Sequence, residues 1–176
     1  MRRVLLSEII HFSLGKNATR IKEHADLFYT PEDFEKDLHG VNPTDDNAVC
    51  IINLIRSTCS PLSIQNESKL FTSNFLRCDF DTKVLNPWYF SYMFNEGKSF
   101  AQQIQMYHQG STLSVKKLNV KSIGDLTISL PELEKQKQIG DLYKQSIIQN
   151  DLLHKKADLM QQFTVGIIRE LEEKQT

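Results

Sequence analysis

The sequence predicts a mixed α/β fold, an α+β globule that ends in one long C-terminal α-helix forming a coiled coil, and three observations predict it. Short β-branched or alternating apolar runs, such as "VCIINLI" from Val49 to Ile55, have the length and composition of strands. Helix-start signals stand among them, the clearest being Asn86 followed by Pro87. From about Glu132 onward the apolar residues recur at spacings of four and three, the period of a heptad seam. With 176 residues the chain is long enough for one hydrophobic core and an appendage. The expected division is a globule over residues 1–131 and a helix over residues 132–176.

Taken in order, Arg3 to Lys16 opens with an apolar turn or short helix for which Ser7 is the expected N-cap, then a strand over "HFSLGK" that ends at Gly15. The charged, proline- and glycine-punctuated text from Ile21 to Asp46 reads as turns with one short helix capped near Thr30. "VCIINLI" is apolar almost without interruption, as a strand covered on both faces requires. The Ser-, Thr- and Asn-rich stretch from Arg56 to Asn74 reads as turns and an edge strand, and "LRCDF" from Leu76 to Phe80 alternates like a half-buried strand. Asn86 and Pro87 start a helix that puts Trp88, Tyr92 and Met93 on one face and breaks at Gly97. A second helix, Lys98 to His108, presents Phe100, Ile104 and Tyr107 at helical spacing and closes at Gly110. "LTISLP", Leu126 to Pro131, is a short strand with proline at its exit. The seam that follows is Ile139, Tyr143, Ser146, Asn150, Leu153, Ala157, Met160, Thr164, Ile167 and Leu171. Leu142, Ile147, Leu152, Leu159 and Phe163 widen it, so this helix is expected to meet more than one surface.

Hydrophobic content of 40%, charged content of 24% and a net charge of -1 describe an ordinary globular protein, and the net charge by itself points to no polyanion. Charge is unevenly spread: Gly97 to Gly124 holds Lys98, Lys116, Lys117 and Lys121 without an acid, either a solvated surface or a phosphate track. Cys50, Cys59 and Cys78 lack C-x-x-C or Cys/His spacing, so neither zinc nor a disulfide framework is expected and a reducing cytoplasm fits. Ser7 and Glu8 interrupt the opening "MRRVLLSEIIHF" before it reaches signal-peptide length, and no stretch nears the ~20 apolar residues of a membrane helix.

No constellation for catalysis emerges, and no catalytic or metal-ligating residue is expected. "NPWY", Asn86 to Tyr89, is similar to the Asn-Pro-Pro-Tyr loop of adenine methyltransferases, but Trp88 takes the place of the second proline and no Gly-rich strand-to-helix turn lies upstream to hold S-adenosylmethionine. A nuclease gathers carboxylates from separate elements around a divalent metal. Glu32, Asp33, Glu35, Lys36 and Asp37 instead crowd one polar turn and read as solvated. His11, His24, His39, His108 and His154 are scattered with no H-x-x-x-H pair, and neither a G-x-S-x-G elbow nor a phosphate loop occurs.

The aromatic helix "YFSYMF" is followed by "QQI" and "HQGST", then by the frame "L....I..L.I.LP.LE.QKQI" from Leu118 to Ile139, then by the long helix through "LLHKKADLMQQFTVGIIREL". In this order the pieces, which cover about half of the chain, resemble the specificity subunits of type I restriction-modification systems. "LSEIIHFSLGK" near the start is similar to the opening of such a domain. The resemblance implies a target-recognition domain that reads half of a split sequence in double-stranded DNA, and a helix that sets spacing and docks other subunits. It implies no catalysis by this chain: a DNA adenine methyltransferase (modification) subunit would carry S-adenosylmethionine, and a restriction/translocase subunit, where one joins, ATP and Mg. Full-length subunits have two such domains and two helices. One of each implies a half-subunit that acts alone, pairs as an antiparallel homodimer, or pairs with a second half-subunit.

Within that expectation, the residues near DNA are Lys16, Asn17 and Arg20 after Gly15, Arg56, Ser57 and Thr58 after the buried strand, and Ser111, Thr112 and Lys116 in the cationic stretch. Arg pairs with guanine, Asn with adenine, and Ser, Thr and Lys hold phosphate. Ser111 and Thr112 also read as turn residues after Gly110. Ile139, Tyr143, Asn150, Leu153, Met160, Ile167 and Leu171 are the expected dimer or partner interface, with Asn150 either fixing the register or standing at a solvated rim. Ile21 to Asp81, where base-reading residues would largely lie, matches no pattern, so the target bases are unreadable. Other readings stay open: a coiled-coil adaptor whose globule binds protein, the specificity chain of a methylase-nuclease fusion enzyme, and a small nuclease built on residues 32–37.

Overall fold

In the computed structural model, which describes residues 2–17, 28–41, 44, 48–108 and 118–173, the chain begins with a strand rather than the expected turn or helix. This strand, β1 (Arg2–Leu5), pairs antiparallel with β6 (Thr127–Leu130), Leu5 opposite Thr127. Its partner lies at the far end of the globule's sequence, so the local pattern carries no sign of it. One helical turn, α1 (Leu6–Ile9), follows with Leu5 and not Ser7 at its N-cap, and turns Leu6 inward. β2 (Ile10–Leu14) takes the place of the strand expected over "HFSLGK".

β3 (Val49–Asn53), β4 (Thr58–Pro61) and β5 (Phe75–Phe80) join β2 in a sheet of order β2-β5-β3-β4, with β4 at an edge as expected. Successive side chains of a strand point to opposite faces. On β3, Cys50 and Ile52 therefore join Leu6, Leu76, Phe90 and Ile123 in one core, while Val49 and Ile51 join Tyr29, Phe34, Leu62 and Phe75 in a second core. A strand between two cores has little room for polar residues, which accounts for the nearly continuous apolar run. Each large side chain buried this way contributes roughly 1.5–3 kcal/mol over leaving it in water. Cys50, Cys59 and Cys78 are free and buried in the first core. Burial pushes the Cys50 and Cys78 thiols well above their ordinary range and keeps them protonated.

α2 (Pro31–Leu38) covers the second core and begins with a capping box. The Asp33 N–H donates to Thr30 Oγ1 at 3.1 Å, and the Thr30 N–H donates to the Asp33 carboxylate at 2.9 Å. α3 (Pro87–Asn95) covers the first core; Asn86 caps it by accepting from the Tyr89 N–H at 2.9 Å. Past Gly97, α4 (Lys98–His108) packs Phe100 and Ile104 on the same core. The side chain of Tyr107 and the closing Gly110 lie outside the described residues. α5 (Val120–Gly124) is absent from the sequence expectation because five residues carry no readable period; Asn119 caps it, and Ile123 enters the core.

α6 (Leu133–Glu173) is 41 residues long, about 62 Å at 1.5 Å per residue. Its first turns lie against α3, and Gly140 permits the approach: a Cβ there would come within 2.6 Å of Asn86 Oδ1 and 2.9 Å of Trp88 Cβ. The buried Gln136 ties the joint, accepting from the Asn86 N–H at 3.0 Å and donating to the carbonyls of Val84 at 3.1 Å and Pro131 at 3.0 Å. A second contact comes from the end of α2, where Gly40 lies against Ile148 and His39 Nδ1 is 2.5 Å from Asp151 Oδ2. From Leu152 to Glu173 the helix is exposed. No helix among the described residues is long and apolar enough to cross a membrane.

Candidate nucleic-acid interface

Strand order brings together segments that are far apart in sequence. Leu14 lies opposite Leu76, Phe75 opposite Asn53, and Asn53 opposite Thr58. The exit of β2, the approach to β5 and the β3–β4 turn therefore open at one end of the sheet. Lys16 and Asn17 leave β2 there, Thr72 and Asn74 lead into β5, and Ile55, Arg56 and Ser57 make the turn.

Each segment is held by its backbone, which leaves side chains to project. The Lys16 N–H donates to the Phe71 carbonyl at 2.9 Å and its own carbonyl accepts from the Ser73 N–H at 2.9 Å, with the side chain exposed. Gly15 is required beside it, because a Cβ would lie 2.1 Å from the Thr72 carbonyl oxygen. Asn53 ends β3 two residues earlier than expected: its Oδ1 accepts from the N–H groups of Ile55 at 3.1 Å and Arg56 at 3.2 Å. Ser57 then takes φ 53°, the sole left-handed non-glycine among the described residues. That conformation costs about 1–2 kcal/mol, and such strain gathers at ligand-contacting turns. Ile55 is 68% exposed at the tip and the Arg56 side chain 57% exposed beside it. A cleft of about 400 Å³ runs below them, lined by Tyr29, Thr30, Asn53, Arg56, Thr72 and Asn74 among others. Cations for phosphate, amides for base edges and an apolar tip that fits a thymine methyl thus share one end of the sheet.

Two of the expected groups, Lys16 with Asn17 and Arg56 with Ser57, meet at this end. Thr58 is a correction: its Oγ1 is buried with no partner among the described residues, so the hydroxyl is not on the surface. Arg20, Ser111, Thr112 and Lys116 lie outside the described residues. Ile55, Thr72 and Asn74 are additions. Their text reads as turn, and only the strand order decides which end of the sheet a turn reaches.

Among the acids of residues 32–37, Glu32 is exposed as expected, but Asp33, Glu35 and Asp37 are more than a solvated cluster. Asp37 is 0% exposed and accepts from Tyr29 OH at 2.9 Å, Asn66 Nδ2 at 3.0 Å and the Ser63 N–H at 3.3 Å. Burial, with Asp37 beside it, raises the Tyr29 phenol far above its ordinary range, so it stays a donor. Burial also raises the Asp33 carboxyl, but hydrogen bonds from Lys69 and Thr30 outweigh it and hold the group below the usual carboxylate range. Glu35 pairs with Arg56 and with His39. These carboxylates brace the globule, and no cluster of His, Cys, Asp and Glu among the described residues could hold a metal ion.

On α6 the seam divides. Ile139 packs on the first core, and Tyr143 meets Trp88 at 6.4 Å and Tyr92 at 5.6 Å between ring centroids while its hydroxyl accepts from Asn95 Nδ2 at 3.0 Å. Burial raises the Tyr143 phenol and the Asn95 bond opposes the rise. These two residues, expected at a partner interface, lie on the chain's own α3, because the seam starts where the helix still rests on the globule. Asn150, Leu153, Met160, Ile167 and Leu171 are exposed, as is Phe163 at 71%.

A family model described as the type I restriction modification DNA specificity domain matches residues 28–161. Among solved structures, the HsdS subunit from Thermoanaerobacter tengcongensis is similar at TM-score 0.56 and 17% identity, over 89% of this chain and 39% of that one. A second, from a study of complex assembly and conformational transition of the type I R-M system, is similar at TM-score 0.55 and 16% identity, over 91% of this chain and 41% of that one. At such identities the likeness is one of fold, and this chain spans about two fifths of the length of either. No curated protein matches the sequence.

Proposed function

Since this chain belongs to the type I restriction modification DNA specificity family, we propose that its globule reads one half of a split site in double-stranded DNA and that α6 docks the rest of the assembly. The observation that carries this reading is the convergence of cationic, amide and apolar side chains from three separated segments at one end of the sheet. Lys16 and Ser57 hold phosphate, and Arg56, Asn17 and Ile55 meet base edges.

The exposed part of α6 pairs antiparallel with the same helix of a second copy, or of a different half, through Leu153, Met160, Ile167 and Leu171, with Asn150 setting the register. The remaining apolar width takes a DNA adenine methyltransferase subunit, which brings S-adenosylmethionine. A restriction/translocase subunit, where one joins, brings ATP- and Mg-dependent cleavage. Antiparallel pairing of the exposed stretches puts two globules at opposite ends of a free rod of roughly 33 Å, close to one duplex turn of ~35 Å. A symmetric pair reads an inverted repeat around an unread spacer.

A salt titration of duplex affinity tests the DNA reading, since neutralised phosphates make log K fall linearly with log salt. Arg56→Ala is expected to lower discrimination between sites by ~1–3 kcal/mol with little change on random duplex. Equal loss on random duplex would reassign Arg56 to the phosphate backbone, and salt-independent binding would leave the adaptor reading standing.

A further inference from the structure

One chain of polar side-chain contacts runs from the turn at the sheet end to the long helix. Arg56 Nη1 bonds Glu35 Oε1; the other oxygen, Glu35 Oε2, is 3.2 Å from His39 Nε2; and His39 Nδ1 is 2.5 Å from Asp151 Oδ2. The three contacts span three elements: the β3–β4 turn, α2 and α6. Glu35 on α2 and His39, the residue that caps its C-terminal end, are one helical turn apart, so the end of the helix sets their spacing. Asp151 stands where α6 leaves the globule, since every helix residue beyond it is exposed.

We propose that Glu35 is a positioning residue for Arg56 that sets how selectively the turn binds DNA. The inference rests on the DNA-reading role proposed above. A guanidinium already paired with a carboxylate gains little by exchanging it for a single phosphate contact, because both are solvent-exposed ion pairs of similar strength. It gains most by release where the ligand holds two acceptors in a rigid, in-plane fork, as O6 and N7 of guanine do. Glu35 thus cancels much of what Arg56 offers any duplex and leaves what it offers the right base, so specificity comes from a built-in competitor as well as from a fit. The brace through His39 to Asp151 keeps the competitor in place and ties it to the seating of the globule on α6.

The test uses the full chain with a random-sequence duplex at a series of salt concentrations, and in parallel a selection of bound sequences from a random pool. Glu35→Gln is expected to tighten random-duplex binding about two- to fivefold, to steepen the salt slope by about one phosphate contact, and to weaken motif enrichment in the pool. In an Arg56→Ala background the same substitution should leave the salt slope unchanged. Asp151→Asn, remote from the turn, should shift binding in the same direction by a smaller factor, with circular dichroism unchanged in each variant. A Glu35→Gln effect that persists without Arg56 would be general charge removal and would overturn the proposal, as would wild-type binding and enrichment in Glu35→Gln. Wild-type protein with no salt-dependent duplex binding would instead overturn the DNA-reading role, and this proposal with it.

Discussion

Asp37 is a carboxylate in a polar-looking turn, yet it is completely buried and organises Tyr29, Ser63 and Asn66 around itself. Its removal leaves those donors without an acceptor inside the protein, where each unmade bond is expensive. Asp37→Ala should therefore lose about 3 kcal/mol in a denaturant melt, and Asp37→Asn less, because one oxygen still accepts. Asp33 gives the acid limb of stability. Its folded pKa is lowered, so its contribution is present above the unfolded value near pH 4 and is lost as pH falls through the lower folded value. Asp33→Asn should flatten the stability profile below about pH 4 relative to wild type, measured by melts at stepped pH. Neither acid could be told apart in the sequence: the residues 32–37 look uniformly solvated, and only the arrival of Asn66 and Lys69 from a distant loop separates a core group from a cap.

At the scale of elements, signals written within a few residues were legible and those written across the chain were not. Thr30, and Asn86 with Pro87, mark helix starts through local hydrogen bonds, and Gly97 marks the break where a Cβ would lie 2.3 Å from the Met93 carbonyl oxygen; each does so in the structure. The β1–β6 pairing and the α3–α6 joint depend on partners far away. The joint also explains part of the recognisable pattern. Gln136, from "QKQI", stitches α6 to Asn86, and Gln103, from "QQI", accepts from the Thr127 N–H at 2.8 Å and donates to its carbonyl at 3.0 Å, completing the edge of β6. Both glutamines act as braces. Gly140→Ala would force its methyl into Asn86 and the α3 backbone, so about 1–3 kcal/mol of stability should be lost, with altered near-ultraviolet dichroism from Trp88 and Tyr143 beside the joint.

For the whole molecule, the division of α6 separates two roles. Up to Asp151 the helix belongs to the globule; beyond it roughly 33 Å of exposed stripe has no covering among the described residues. On the proposed antiparallel pairing, Leu153→Asp or Met160→Asp should abolish self-association, seen as a halved mass in light scattering, while the melt of the globule is unchanged. The end proposed to face DNA was only half legible, since Lys16 and Arg56 stand out as loop cations but their meeting is a consequence of strand order. The central claim is that this end selects the site at which partners act. Genome-wide mapping of methylated adenine tests it most directly, in cells that carry the gene intact, deleted, or encoding Arg56→Ala. An interrupted motif should be methylated with the intact gene, vanish on deletion, and lose definition with Arg56→Ala in every half-site this globule reads: both in a symmetric pair, one beside a different half. The same motif persisting unchanged after deletion would contradict the account.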